Sequence, residues 1–223
     1  KQLLYIKKEG KERLLHNIKN GVDHDVEFVY KRMTQTSDFY TRGSITSYPL
    51  NNIQTPINLV SEFKSENGIG GFTTTKLKYE EAKFHREGKA FLGFKVIKNT
   101  NLATGIRTES ENEFHPTYHV SLPKKVAKYL NSNNTLLNEI TNVNQIVSYP
   151  GTKRFWSRVN SIYENRAFEG QFQSNSLIYD TYGNITTATT NINNVETKVV
   201  TSQYGQHGTP MPAKLTSETI INT

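Results

Sequence analysis

The sequence predicts an all-β fold, in which antiparallel β-hairpins follow one another as a meander and form an open, twisted or curled sheet. Apolar and polar residues alternate with a period of two along most of the chain, as at Val26, Phe28 and Tyr30, and no stretch carries a convincing helical stripe. Aromatic residues make up 11% of the 223 residues, and such side chains pack well on a pleated surface. A mean hydropathy of −0.63 suits a thin sheet whose faces are partly wet.

Corners rich in Asn and Gly separate the alternating runs and place each strand beside the next. Both residue types tolerate a positive φ, which tight hairpin turns require. The predicted pairs are 12–18 with 24–31, 56–65 with 72–79, 91–98 with 106–113, 121–130 with 135–147, 153–163 with 167–178 and 185–191 with 195–203, and a last strand begins near Lys214. Two stretches that contain proline, 33–56 and 205–213, are expected to be irregular, and the first is the longest loop.

Both ends of the chain are expected to lie at sheet edges. Residues 1–6 and 215–221 alternate like strands but have no partner among the predicted hairpins. The chain begins at Lys1 without the pattern of a signal peptide and ends on a stretch that resembles the middle of a strand. We therefore expect a fragment of a longer polypeptide, whose neighbouring segments would pair with the two ends.

The composition excludes several functional classes. The chain has no Cys, which excludes disulfides, thiolate metal sites and thiol nucleophiles. No apolar run approaches the roughly 20 residues that a membrane-spanning helix needs, so no membrane span is expected. The net charge of +7 is spread over scattered pairs such as Lys7-Lys8 and Lys124-Lys125. We therefore expect solvated strand faces and charged edges rather than a nucleic-acid surface.

The histidines supply few candidates for chemistry. His115 and His119 have the i, i+4 spacing of a helical metal pair, but Pro116 opposes a helix and no Glu follows His115. His24, between two aspartates, is more typical of an acidic hairpin corner than of a cation site. His85 beside Arg86 either meets a carboxylate or sugar, or hydrogen-bonds backbone carbonyls in a loop. No metal and no cofactor are expected.

Carboxylates and glycines are likewise better explained by structure than by catalysis. Glu109, Glu111 and Glu113 point to one face of a strand, which favours a solvated stripe over a catalytic pair with separated pKa values. The glycine-rich segment 67–71 lies between strands rather than before a helix, so a phosphate loop is a weak interpretation. A hydrolase is thus the third hypothesis, because no cleft of converging acids or histidines is predicted.

Two segments, 85–94 and 179–186, stand out as motifs. In the first, Phe91 and Phe94 offer large apolar areas, and the glycines permit a tight corner and close backbone approach. In the second, an aspartate accepts backbone N–H bonds at a turn that Gly-Asn completes. The candidate residues, all with a structural role, are His85, Arg86, Gly88, Phe91, Leu92, Gly93 and Phe94 in the first segment and Tyr179, Asp180, Gly183 and Asn184 in the second.

The first segment resembles a signature in the middle region of the B components of insecticidal toxin complexes, a region shared with SpvB-like proteins. The second resembles a YD-type repeat of RHS proteins. In the family the first signature commonly has Gln, Arg and Gly where this chain has Glu87, Lys89 and Ala90. Further blocks match in the same order, namely 48–50, 56–60, 67–71, 78–83, 103–106 and 136–142.

The resemblance implies a scaffold without catalytic activity. It implies a secreted or cell-surface bacterial toxin-like protein in which this chain contributes wall to an RHS/YD-repeat β-shell, or joins that shell to a preceding domain. Residues 1–150 then correspond to the middle region of the B component and residues 151–223 to continuous YD-like hairpins. The implied partners are neighbouring repeats of the same polypeptide and other toxin-complex subunits. The alternative is a carbohydrate- or protein-binding β-module, which an exposed row of Trp156, Tyr163 and Phe168 would favour.

Overall fold

The structure is a computed structural model that describes residues 14–20, 24–35, 38–44, 46–205 and 215–223. None of these residues lies in a helix, so this part of the chain holds no helix that is long and apolar enough to cross a membrane. Its strands are β1 (Asn17–Lys19), β2 (Asp25–Arg32), β3 (Tyr40–Thr41), β4 (Leu50–Asn52), β5 (Asn58–Glu66), β6 (Phe72–His85), β7 (Ala90–Asn101), β8 (Ile106–Phe114), β9 (Ser121–Leu130), β10 (Thr135–Ser148), β11 (Phe155–Arg166), β12 (Gln171–Tyr179), β13 (Ile185–Ile192), β14 (Glu196–Tyr204) and β15 (Leu215–Asn222).

All of these strands belong to one open sheet. Thirteen follow one another in the order β1-β2-β5-β6-β7-β8-β9-β10-β11-β12-β13-β14-β15, while β3 and β4 both pair with β6. Neighbours in this order are antiparallel, and the short pair of β3 with β6 is parallel. Because β1 and β15 lie at opposite edges, the sheet does not close. The predicted all-β, antiparallel meander is confirmed.

Each predicted hairpin corresponds to a pair of observed strands, with ends that differ by up to six residues, although residues 12 and 13 of the first predicted strand lie outside the described residues. The pair predicted at 121–130 and 135–147, for example, corresponds to β9 and β10. At the corner between β13 and β14, Asn193 and Asn194 have φ values of 50° and 57°. Asn carries a short polar side chain that tolerates this left-handed conformation, which is why such corners are visible in the sequence.

The stretch 33–56 differs from its prediction as a long irregular loop. It contains β3 and β4, and both pair with the long strand β6. One flank of β6 pairs with β7 along most of its length, while the other flank meets β5, then β3, then β4. An uncovered strand edge leaves backbone N–H and C=O groups without partners. The segment therefore covers the part of β6 that extends beyond β5.

The same segment supplies much of the hydrophobic core. The buried cluster consists of Met33, Phe39, Tyr40, Tyr79, Ala82 and Phe94, with Ile53, Leu59, Leu77 and Ile97 packed against it. The hydroxyl of Tyr40 donates to the carbonyl of Ile53 at 2.6 Å and accepts from the backbone N–H of Ala82 at 3.1 Å. Burial raises the pKa of Tyr79 to about 12, and its hydroxyl donates to the carbonyl of Val60. Both phenols thus satisfy their polar ends while their rings fill the core.

The last strand lies at a sheet edge, as expected. β15 pairs with β14 from Leu215↔Tyr204 to Asn222↔Lys198, which supplies the partner that the predicted hairpins lacked. Every residue of β15 is exposed. The predicted strand at 1–6 and most of the predicted loop at 205–213 lie outside the described residues.

Candidate functional site

The segment from His85 to Phe94 contains the end of β6, the turn at residues 86–89 and the start of β7. His85 ends β6, is buried, and pairs with Leu50 of β4. Its Nδ1 accepts the backbone N–H of Glu87 at 3.2 Å, so the neutral ring carries its proton on Nε2. The backbone N–H of Arg86 donates to the carbonyl of Pro49 at 3.0 Å. The His85 ring thus hydrogen-bonds the backbone of its loop, but it accepts an N–H group and does not donate to the carbonyls that were predicted. The contact of Arg86 with Pro49 is made by the main chain of Arg86.

Three residues of this segment have a positive φ. Gly88 and Gly93 have φ values of 86° and 107°, and Ala90 has a φ of 57°. Glycine adopts such angles at little steric cost, but alanine does not. Ala90 therefore holds a strained conformation at the position where the related signature commonly has glycine.

The two phenylalanines of the motif have different environments. Phe94 is 8% exposed and lies against Tyr79, with ring centroids 4.7 Å apart. Phe91 is 46% exposed and meets the edge of Phe94 at 5.4 Å. Leu92, between them, is half-buried. The motif thus contributes one ring to the core and keeps a second partly at the surface.

His85 also contacts a second turn, which follows β8. The rings of His85 and His119 lie 4.7 Å apart, and His85 Nε2 and His119 Nδ1 are both buried without a hydrogen-bond partner. Burial, with the nearby His85 and Lys89, lowers the pKa of His119. His115, which starts the second turn, accepts the backbone N–H groups of residues 117 and 118 at its Nδ1. The sequence analysis did not predict that these two turns contact each other.

No metal centre is formed by the acidic and histidine side chains of the described residues. None of their clusters joins three groups that would hold an ion. Nε2 of His24 lies 3.0 Å from the hydroxyl of Ser65. In the glycine-rich segment, Asn67 Oδ1 accepts the N–H groups of Ile69 and Gly71, so these donors already have a partner.

The YD-type segment forms a compact turn between β12 and β13. The hydroxyl of Tyr179 donates to the carbonyl of Val159 at 2.6 Å, and burial raises the pKa of Tyr179. Asp180 accepts the N–H groups of Tyr182 and Asn184 at 2.8 and 2.9 Å, and the side-chain amide of Asn184 at 2.8 Å. Burial opposes ionisation of Asp180, but these bonds outweigh it and lower the pKa of the carboxyl.

Close packing explains the glycine of the same turn. Gly183 has a φ of 92°, and a Cβ there would lie 3.2 Å from the ring of Trp156. The guanidinium of Arg158 covers the rings of both Trp156 and Tyr179, at 5.4 and 4.9 Å from their centroids. Trp156 and Arg158 of β11 therefore pack against the turn through aromatic and cation–π contacts.

A buried polar cluster lies beside the first motif, and sequence analysis did not predict it. Lys83 and Asn52 are 7% and 3% exposed and occupy directly opposed positions of β6 and β4. Lys83 Nζ donates to Asn52 Oδ1 at 2.6 Å and to Glu81 Oε2 at 2.9 Å. Lys95 reaches the other oxygen of Glu81 at 3.2 Å. Burial disfavours the charge on Glu81, but the hydrogen bonds and charges of both lysines outweigh it and lower the pKa of the carboxyl.

The predicted row of carboxylates on β8 is held by individual partners. Glu109 Oε1 accepts from Arg107 at 2.8 Å, Glu111 pairs with Lys124 at 3.4 Å, and Glu113 accepts an amide of β10. A groove of about 560 Å³ lies beside Arg107 and Glu109, lined by further charged residues of β6 and β7. The three acids do not form a facing pair.

The aromatic residues that would mark a binding surface do not form a row. Trp156 is half-buried against Tyr179, whereas Tyr163 is 42% exposed and stacks on Phe172 at 6.3 Å. Phe168 is 84% exposed in the turn between β11 and β12. Two of the three rings are therefore engaged in packing with neighbouring strands.

Comparison with known proteins agrees with this architecture. The crystal structure of TcdB2-TccC3-TEV has a TM-score of 0.62 to this chain at 12% sequence identity, over 87% of this chain and 14% of that one. This chain thus spans a small part of the length of that solved chain. The structural similarity shows that the two share a fold over the matched region. No curated protein sequence matches. Residues 5–126 match the sequence model of the family described as the insecticide toxin TcdB middle/N-terminal region. More than half of the chain is covered by this match, and the chain therefore belongs to the family of the insecticide toxin TcdB middle/N-terminal region.

Proposed function

We propose that this chain is a non-catalytic wall segment of an RHS/YD-repeat β-shell in a larger, secreted or cell-surface toxin component. Its family supports a structural part of a toxin complex. The observation that carries the proposal is the open sheet, in which thirteen strands form a chain of neighbours with an edge at each end. Such a sheet extends by adding further hairpins, since each repeat pairs only with the next.

The proposed neighbours are the preceding and following segments of the same polypeptide, and other subunits of the toxin complex at its outer surface. Residues 1–150 would form the region typical of the family and residues 151–223 the YD-like continuation. β10 and β11 pair across this boundary, from Glu139↔Asn165 to Ser148↔Phe155. The proposal therefore treats the two parts as one continuous wall.

The side of β15 that faces away from β14 offers a direct test. Thr223 and Thr197 exchange both of their backbone hydrogen bonds. Because an antiparallel ladder alternates, Ile221 and Thr219 also face β14, while the N–H groups of Ile220 and Glu218 point to the open side. In a longer polypeptide that continues the sheet, the next strand would accept these two hydrogens.

Residue-resolved hydrogen exchange of this chain alone and of its longer parent protein measures the difference. We expect the amide of Ile220 to exchange much more slowly in the parent, while the amide of Ile221 serves as the control within the same strand. Equal exchange of Ile220 in both proteins would refute a continuing wall.

The alternative is a carbohydrate- or protein-binding β-module. It requires exposed aromatic faces, and the observation that favours it is that Tyr163 and Phe172 stay 42% and 39% exposed while they stack on each other. Calorimetric titration with neutral oligosaccharides, compared with the Tyr163→Ala variant, tests this function. Saturable heat that the variant loses would favour binding over a purely structural role.

A further inference from the structure

The buried cluster of Lys83, Asn52 and Glu81 brings together an amine, a carboxamide and a carboxylate. The amine and the amide occupy opposed positions on β6 and β4, so the backbone ladder itself holds the two side chains together. Their polar atoms are 2.6 Å apart, and the carboxylate lies 2.9 Å from the same nitrogen. These three groups are the reactants and the proton carrier that an amine needs to displace ammonia from a carboxamide.

Packing holds the carboxamide and the carboxylate together as well. A Cβ at Gly43 would lie 2.5 Å from Asn52 Nδ2 and 2.8 Å from the carboxyl carbon of Glu81. Both groups therefore converge on the space that the missing side chain leaves. Asn52 Nδ2 donates to the carbonyl of Ser44, which orients the amide.

The surroundings exclude most water from the two reacting groups. Lys83 and Asn52 are almost fully buried, and the ring centroid of Phe114 lies 5.9 Å from Lys83 Nζ. Glu81 rests as a carboxylate because its pKa is lowered, and its Oε2 lies 2.9 Å from Lys83 Nζ, so it is placed to accept a proton from that nitrogen. Lys95 holds the second oxygen of that carboxylate at 3.2 Å.

We propose that Lys83 and Asn52 form an intramolecular isopeptide bond, with Glu81 as the catalytic residue that transfers the proton. Glu81 takes a proton from the ammonium of Lys83, and the freed amine attacks Cγ of Asn52. The Nζ–Cγ bond forms and the Cγ–Nδ2 bond breaks, while Glu81 gives this first proton to the departing nitrogen and accepts the second proton that Nζ must lose to become an amide. That second proton leaves with the ammonia as ammonium, which restores the carboxylate of Glu81. One molecule of ammonia leaves, and no oxidant, metal or other reagent is consumed.

This bond would fix β4 to β6 in a chain that has no Cys for a disulfide. It closes a loop from residue 52 to residue 83, and a covalent link of this kind restricts the unfolded chain as a disulfide does. The segment 33–56 would then stay on the flank of β6 even when the hydrogen bonds between them open.

Intact mass measured under denaturing conditions tests the proposal. We expect the protein to be lighter than its sequence by one ammonia, and a protease digest to contain a linked peptide that joins Asn52 to Lys83. The Lys83→Met, Asn52→Ala and Glu81→Gln variants should each have the full sequence mass.

Two controls separate this reaction from others. Succinimide formation at Asn67-Gly68 also releases ammonia, but it yields no linked peptide and does not depend on Lys83. The Asn52→Asp variant should still give the linked peptide, now with loss of water. A wild-type mass equal to the sequence mass, or an ammonia loss that persists in Lys83→Met, would overturn the proposal. The intact mass of the wild-type protein decides the proposal by itself, so the test does not depend on whether any variant folds.

Discussion

Replacement of Phe94 by alanine should remove the ring that joins the family motif to the core. The side chain is 8% exposed, and its ring lies 4.7 Å from Tyr79 and 6.4 Å from Tyr40. Alanine would leave a cavity between β6, β7 and the segment that carries Tyr40. Substitutions of buried Phe by Ala cost about 3–5 kcal/mol, and the near-complete burial of Phe94 places it within that range.

Two matched substitutions set the scale. Phe91→Ala also removes a phenyl ring, but the side chain of Phe91 is 46% exposed, so the loss in the free energy of unfolding should be clearly smaller. Phe168→Ala acts on a ring that is 84% exposed, and the free energy of unfolding should change by less than about 0.5 kcal/mol.

The assay must report on local stability, because a long meander need not unfold in one step. Urea unfolding followed by hydrogen exchange of β5, β6 and β7 measures the region around Phe94, while exchange of β12 and β13 provides the internal reference. We expect Phe94→Ala to lower the stability of β5, β6 and β7 and to leave that of β12 and β13 unchanged. Equal stability of the Phe94→Ala and Phe168→Ala variants would refute the packing argument for the motif.

Four other predictions follow from single contacts. Gly43→Ala should destabilise by about 1–3 kcal/mol because its Cβ would clash with the side chains of buried Asn52 and half-buried Glu81. Gly71→Ala, which meets only the side chain of an exposed asparagine, should be tolerated in thermal melts. Ala90→Gly should raise stability by up to about 1 kcal/mol in urea titrations, since it relieves a φ of 57°, and an unchanged midpoint would contradict that strain. Asp180→Ala should lower the free energy of unfolding by about 1 kcal/mol because three donors lose their acceptor. Since the folded pKa of Asp180 is lowered, its contribution to stability is present above the unfolded pKa and is lost as pH falls through the folded value. The pKa of His119 is also lowered, so the fold favours its neutral ring. The resulting contribution to stability is complete above the unfolded pKa near 6.5 and declines as pH falls below that value. This decline should disappear in the His119→Gln variant when thermal melts at pH 7 and pH 5 are compared.

The sequence by itself determined the strands and their order. Alternation with a period of two and corners such as Asn193-Asn194 depend on neighbouring residues only, and a meander pairs each strand with the next along the chain. For the same reason the YD-type turn was predictable: Asp180 contacts groups within four residues of itself.

The tertiary structure decided what depends on distant residues. Nothing in the local pattern of 33–56 shows that its short strands cover one flank of β6, because that need arises from the length of β6 relative to β5. The contact of His85 with His119, and the convergence of Lys83 with Asn52, join residues about thirty positions apart through the register of paired strands. A period of two assigns a side chain to a face, but only the assembled sheet selects which residues meet there, since register is set by pairing and packing together.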